Sequence, residues 1–382
     1  LTVSGKISKI EGSYFSYRGG IIGLASATSI VDCNNLCNIE DEIPLNGDCT
    51  GGIVGRAESG TCIIKCKNYG NIFGGFYAGG ICGSFMGGEM KETIENYGNI
   101  RLTIGGVAGG ICGVMHNTVN LEGAVLINQE EATFLQAGIA GGIFGQYICN
   151  VSTTETMHLD IYGTFVNKAN IQFIVGSGRA GNIGGIFGVI ISEPGNTNKY
   201  TFLTKCENYG NITSSSCFHL GGIVGLIYSL ECSFVLSNSS NYGKIVGQHD
   251  SLVETDYSMR IGGICGKLTG QHTITNCHNS GDIMQIDNDL PDSLLFIGGI
   301  CGQVLSGGVI SECTSIGNLY PINKYVSCGG ICGFLDDGRI TNCYSGGLCY
   351  LPDVVDELVI GGICGKNIKG NITSCISTFN PL

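Results

Sequence analysis

The chain has 382 residues, of which 64 are glycine, 6 proline and none tryptophan; 43% are apolar, only 13% are charged, and the formal net charge is −12. Low charge with high apolar content excludes a disordered chain, and glycine without abundant proline excludes collagen. The acidic balance argues against a nucleic-acid partner, which needs clustered Lys and Arg, and no run of about 18 apolar residues calls for a membrane-spanning helix.

Ser4–Ile7 (SGKI) reads as the tail of a preceding unit, and the start at Leu1, without methionine or leader, is expected of a chain whose signal peptide is removed or lies upstream. From there a GGIxG pentapeptide recurs eleven times, beginning at Gly19, Gly51, Gly79, Gly109, Gly141, Gly184, Gly221, Gly262, Gly298, Gly329 and Gly361. The intervals run from 28 to 43 residues, the window of stacked repeats. A second module, I-x-x-C-x-N-x-G-x-I, alternates with it, as in Ile63–Ile72 (IIKCKNYGNI) and Ile274–Ile283 (ITNCHNSGDI). Its asparagine recurs at Asn35, Asn68, Asn96, Asn128, Asn167, Asn208, Asn241 and Asn279, with Ser315 and Ser345 in its place further on. The glycine two residues later (Gly70, Gly98, Gly210, Gly243, Gly281, Gly317, Gly347) is expected to supply the positive φ of an N-x-G turn. Longer inserts fall at Gln146–Thr164, Gly247–Arg260, Met284–Phe296 and Tyr350–Val359, and Cys375 opens a module that is not completed.

Short Ile-, Val- and Cys-rich segments punctuated by Gly and Asn predict strands and turns without sustained helical spacing. About three short strands per repeat cannot bury their apolar side alone, whereas coiling the chain so that equivalent strands stack in parallel does bury it. The expected fold is an all-β, right-handed parallel β-solenoid of about eleven rungs forming one domain over residues 1–382. At ~4.8 Å per rung it makes a rod on the order of 50 Å long. Ile21, Ile53, Ile81, Ile111, Ile143, Ile186, Ile223, Ile264, Ile300, Ile331 and Ile363 are the expected core ladder.

The segment Gly329–Leu348 (GGICGFLDDGRITNCYSGGL) resembles the GLUG-repeat family, with isoleucine where that family usually carries leucine, and the resemblance covers Gly19 to Cys375. It implies a β-solenoid in a secreted or surface-anchored protein, often an adhesin. No HExxH peptidase motif is present, so the resemblance brings no catalytic residue with it.

The 21 cysteines fall largely on two columns. Cys82, Cys112, Cys265, Cys301, Cys332 and Cys364 take the fourth place of GGIxG, and Cys33, Cys66, Cys206, Cys277, Cys313, Cys343 and Cys375 the cysteine place of I-x-x-C. Other copies carry aliphatic residues there, so both columns read as small apolar core positions. In-register side chains run parallel, with Cβ atoms ~4.8 Å apart against the ~3.8 Å a disulfide prefers. The off-ladder cysteines Cys37, Cys49, Cys62, Cys149, Cys217, Cys232, Cys328 and Cys349 are the better disulfide candidates. No C-x-x-C pair or histidine spacing suggests zinc, and no cofactor is expected.

Sequons stand at Asn150, Asn211, Asn238 and Asn371. Recurrent tyrosines (Tyr69 with Tyr97, Tyr209 with Tyr242) read first as a packing ladder and second as a sugar-binding strip. The acidic insert Asp287, Asp289, Asp292 reads as a solvated loop ahead of a calcium site. The expected function is that of an extracellular or cell-surface structural or adhesive protein, a stalk or filament subunit self-associating end to end. The rival readings are a module binding glycans or host surface proteins through its inserted loops, and a polysaccharide-active β-helix enzyme.

Overall fold

The computed structural model describes residues 1–8, 16–40, 45, 47–102, 105–116, 119–130, 132–135, 138–149, 158–173, 180–192, 195, 197–215, 217–229, 231–248, 258–286, 294–322, 325–351 and 357–382. Its described elements are all β-strands, and each pairs in parallel with its counterpart one repeat away, which is the expected all-β parallel solenoid.

One repeat traces four walls. The first leads into the double glycine (Met259–Gly262), and the second leaves it (Cys265–Thr269). The third comprises Thr273–Thr275 and His278–Asn279, and the fourth is Ile283–Ile286. A repeat of this kind therefore carries five short strands where about three were expected: the pentapeptide is two strands meeting at a corner, and the I-x-x-C segment breaks before its cysteine. The first and second walls are sheets of 11 strands, and the fourth has 12.

The break in the third wall has a local cause. The residue before the cysteine place takes a left-handed conformation, with φ of 50° at Asp32, 52° at Lys65, 51° at Asn238 and Asn276, 54° at Glu312, 53° at Asn342 and 53° at Ser374. None is β-branched, as the steric cost of that region requires. Three longer strands, Gly88–Asn96, His158–Asn167 and Lys199–Asn208, run through both parts of this wall.

The interior is divided in two. One apolar column lies between the second and third walls and contains Ile53, Ile81, Ile111, Ile143, Ile186, Ile223, Ile264, Ile300 and Ile331, all fully buried; Ile21 and Ile363 pack against it half-buried. The other lies between the first and fourth walls and holds Ile72, Ala78, Ile212, Leu220, Ile261 and Ile283 among others. Between the columns stands a septum of fully buried asparagines. Each amide donates through Nδ2 to the Oδ1 of the next: Asn35 to Asn68 at 2.7 Å, and so through Asn96, Asn128, Asn167, Asn208 and Asn241 to Asn279 at 2.8 Å. Ser315 and Ser345 continue it, and Ser345 donates to Ser377 at 2.9 Å.

This septum explains the double glycine. A Cβ on Gly222, the second of its pair, would lie 2.1 Å from the Gly263 carbonyl oxygen and 2.3 Å from Asn241 Cγ, and Gly52, Gly80, Gly185 and Gly263 repeat the pattern. It also corrects the expectation for the N-x-G glycines, of which only Gly347 has positive φ. Gly70, Gly98, Gly210, Gly243, Gly281 and Gly317 are required by stacking: a Cβ on any of them would fall about 2 Å from a carbonyl oxygen of the preceding rung, for instance 2.0 Å from Gly210 O at Gly243.

At the pentapeptide corner each isoleucine N–H donates to the isoleucine carbonyl of the next rung, in one series from Ile21 to Ile363, and the residue after each isoleucine donates to the same oxygen. One carbonyl thus accepts two bonds, which satisfies the backbone at a corner buried from water.

Candidate functional site: the outer cleft beside the glycine corner

The residues expected to carry chemistry or structure are distributed along the rod. Both cysteine columns line the larger apolar interior. Within each column the sulfurs share one orientation: Cys265 Sγ donates to Lys267 O and Cys332 Sγ to Phe334 O at 3.2 Å, two residues ahead, while Cys277 donates to Thr275 O at 3.3 Å and Cys313 to Ser311 O at 3.1 Å, two residues behind. Burial pushes the Cys265 and Cys332 thiols well above their ordinary range, so they are held protonated and unreactive. Among the off-ladder cysteines, Cys328 and Cys349 meet across the smaller interior with their sulfurs 3.6 Å apart.

Asn211, Asn238 and Asn371 are exposed, while Asn150, Asp287, Asp289 and Asp292 lie outside the described residues. Tyr69 stacks on Tyr97 with centroids 4.7 Å apart, and Tyr209 on Tyr242 at 4.8 Å. A third stack, Tyr320 on Tyr350 at 4.6 Å, falls on the fourth wall. The inserts at Gln146–Thr164, Gly247–Arg260, Met284–Phe296 and Tyr350–Val359 lie partly outside the described residues.

Sequence reading missed the place where outward-pointing side chains from two walls converge. The last glycine of each pentapeptide packs on the first-wall backbone of the preceding rung: a Cβ on Gly266 would be 2.8 Å from Leu220 N and O, and one on Gly302 2.7 Å from Ile261 N. The first and second walls are thereby pressed together outside the corner, and their outer side chains face each other with an offset of one rung. Arg56 lies over the Tyr17 ring at 5.4 Å, Arg260 Nε donates to Gln303 Oε1 at 2.8 Å, and Phe296 meets Phe334 with centroids 5.0 Å apart.

In the middle of this cleft are three basic residues. His219 and Arg260 are register neighbours on the first wall, and Lys267 is the neighbour of Gln303 on the second. The His219 ring meets Asn182 Oδ1 through Nδ1 at 2.5 Å, while its Nε2 is buried without a hydrogen-bond partner. The His219 pKa is driven well below the usual imidazole range by burial first, then by Arg260 and Lys267. Burial also lowers Arg260, and burial followed by Arg260 lowers Lys267. Among the described residues no carboxylate forms an ion pair with Arg260 or Lys267, in a chain that carries 31 acidic residues against 19 Lys and Arg.

Comparison with known proteins returns nothing similar to this chain: no family model, no curated protein and no solved structure matches it.

Proposed function

We propose that this chain is a structural or adhesive rod of the cell exterior, a stalk or filament subunit that self-associates end to end. The observation supporting this reading is the continuity of its side-chain columns. The buried isoleucine and asparagine ladders follow one axis through the described rungs, and they commit the most constrained positions of every repeat to stacking on the next. Stacking of identical units is additive, so such a design produces length and stiffness. At the two extremes of the ladder the apolar columns are partly uncovered: Ile21 and Ile22 are half-buried at one, while at the other Ile363 is half-buried and Ile372, in register with the fully buried Ile340, is exposed. A second copy in register would cover them and extend the parallel ladders. The exposed positions of Asn211, Asn238 and Asn371 and the resemblance to GLUG repeats support an extracellular or surface location.

Negative-stain electron microscopy and sedimentation of the purified chain over a concentration series test the proposal. Rods of constant width that lengthen in whole-molecule steps are expected. A single monomeric species at every concentration would refute end-to-end assembly.

A further inference from the structure

We propose that the cleft around Arg260, Lys267 and His219 is a binding site for an oxyanion, the carboxylate, sulfate or phosphate group of a small acidic ligand. Three observations on different atoms converge on it. Two cations from adjoining walls flank His219, Lys267 opposite it and Arg260 beside it on the next rung, without a carboxylate partner among the described residues. Arg260 spends Nε on Gln303 and Nη1 on the Ser258 carbonyl at 2.6 Å, which fixes the plane of the guanidinium and leaves its Nη2 edge for a ligand. The His219 Nε2 is buried and unpartnered near both cations. A buried polar atom without a partner is a desolvation cost that a ligand removes when it supplies the missing bond.

An oxyanion is the chemistry that satisfies all three groups together. It pairs with the guanidinium and the ammonium, and it offers an acceptor to His219 once that ring is protonated at Nε2. Burial and the two neighbouring cations hold the free ring neutral, and a bound anion reverses the electrostatic part of that bias. Phe296 and Phe334, one rung further along the same cleft, give an apolar flank to whatever carries the anionic group. The site does not depend on end-to-end assembly, since it lies on the side of the rod.

The test uses the full chain with sodium sulfate, D-glucuronate and, as the uncharged control, D-glucose. Binding is followed by calorimetry and by the NMR signals of the His219 ring, identified by their loss in His219→Gln. Saturable binding of sulfate or glucuronate, with an upward shift of the His219 titration and no response to glucose, is expected; whichever anion binds tighter distinguishes an inorganic or ester oxyanion from a sugar acid. Arg260→Gln and Lys267→Gln should each weaken binding about tenfold or more, equivalent to about 1.4 kcal/mol, with Lys267→Arg restoring it. Thermal melts confirm that each variant is folded. Absence of binding, or binding that persists unchanged in the Arg260→Gln, Lys267→Gln double variant and so reports an adventitious ion only, overturns the proposal.

Discussion

Asn208 accepts from Asn167 Nδ2 at 2.8 Å, donates to Asn241 Oδ1 at 2.8 Å and donates to the Gly210 carbonyl at 2.9 Å, all within an apolar interior. Its amide fits only because Gly185 has no side chain: a Cβ there would lie 2.4 Å from Asn208 Cγ. The glycines of this chain accordingly differ in kind, and substitution distinguishes them. Gly222→Ala should destabilise the fold by about 3 kcal/mol or more, because its nearest neighbours are a backbone oxygen and a packed amide that cannot yield. Gly105→Ala, with nothing within 4 Å, should change the melting temperature little. Equal effects in thermal melts would contradict the septum.

At the same scale, His272 is a fully buried histidine that couples stability to pH. Backbone groups meet both ring nitrogens: the Phe234 N–H donates to Nδ1 at 3.2 Å, and Nε2 lies 2.8 Å from the Thr269 carbonyl oxygen and 3.2 Å from the Ser229 N–H. Burial holds its pKa down to about 4 against an ordinary 6.5. The unfolded chain therefore binds more protons between these values, and stability falls as pH drops from 6.5 toward 4, by at most about 3 kcal/mol from this residue. Above pH 6.5 the contribution is complete. Chemical denaturation at pH 7 and pH 4.5 should show the loss in the parent and a smaller loss in His272→Gln; the same loss in both would remove His272 as its origin.

Among the elements, what repeats was legible and what does not repeat was not. The isoleucine, asparagine and cysteine columns were visible because stacking identical walls demands the same residue type at the same place. The left-handed corner in the third wall escaped notice because its residues, Asp32, Lys65, Asn276 and Glu312 among them, share a conformation and not a chemistry. Glu312→Asn should stabilise the fold by about 0.5–1 kcal/mol, since asparagine tolerates that region better and already serves at 276 and 342; a loss of stability on denaturation would show that the glutamate side chain matters there. The oxyanion cleft was hidden for a related reason. Its first-wall position reads Asn182, His219, Arg260, Phe296 and Ser327 on successive rungs, and only the folded corner brings that column against the second wall.

The cysteines show the same division. The ladder thiols are parallel, and each donates to a carbonyl two residues along its own chain. Cys328 and Cys349 come from different walls and point at each other. Diamide should therefore join Cys328 to Cys349, taking the two thiol hydrogens to become the hydrazine and leaving one S–S bond, while Cys265, Cys301 and Cys332 stay unlinked. Mass spectrometry after alkylation without reduction checks this, and cross-linked ladder peptides as the main product would overturn it.

For the molecule as a whole, the rung is the unit of stability, so damage is expected to act according to position. Ile264→Asp places a charge without a partner in the larger interior and should unfold the rungs around it. Ile372→Pro instead removes a donor from the strand Asn371–Thr373, which pairs with Arg339–Thr341 at one extreme of the ladder. It should suppress end-to-end assembly in sedimentation while the circular dichroism of the body is retained. Assembly undiminished by this substitution would place the contact elsewhere.

The corner hydrogen bonds give the rod a vector. From Ile21 to Ile363 every isoleucine N–H points toward the higher-numbered rung and every accepting carbonyl toward the lower, and the asparagine amides of the septum are aligned in the same sense. Aligned peptide and amide dipoles add, as they do along a helix, so one extreme of this column carries partial positive charge and the other partial negative. Two rods meeting with like extremes would bring carbonyl against carbonyl or N–H against N–H, whereas unlike extremes continue the series. Any fibre built on these ladders is consequently polar, with distinguishable ends and one direction along its length.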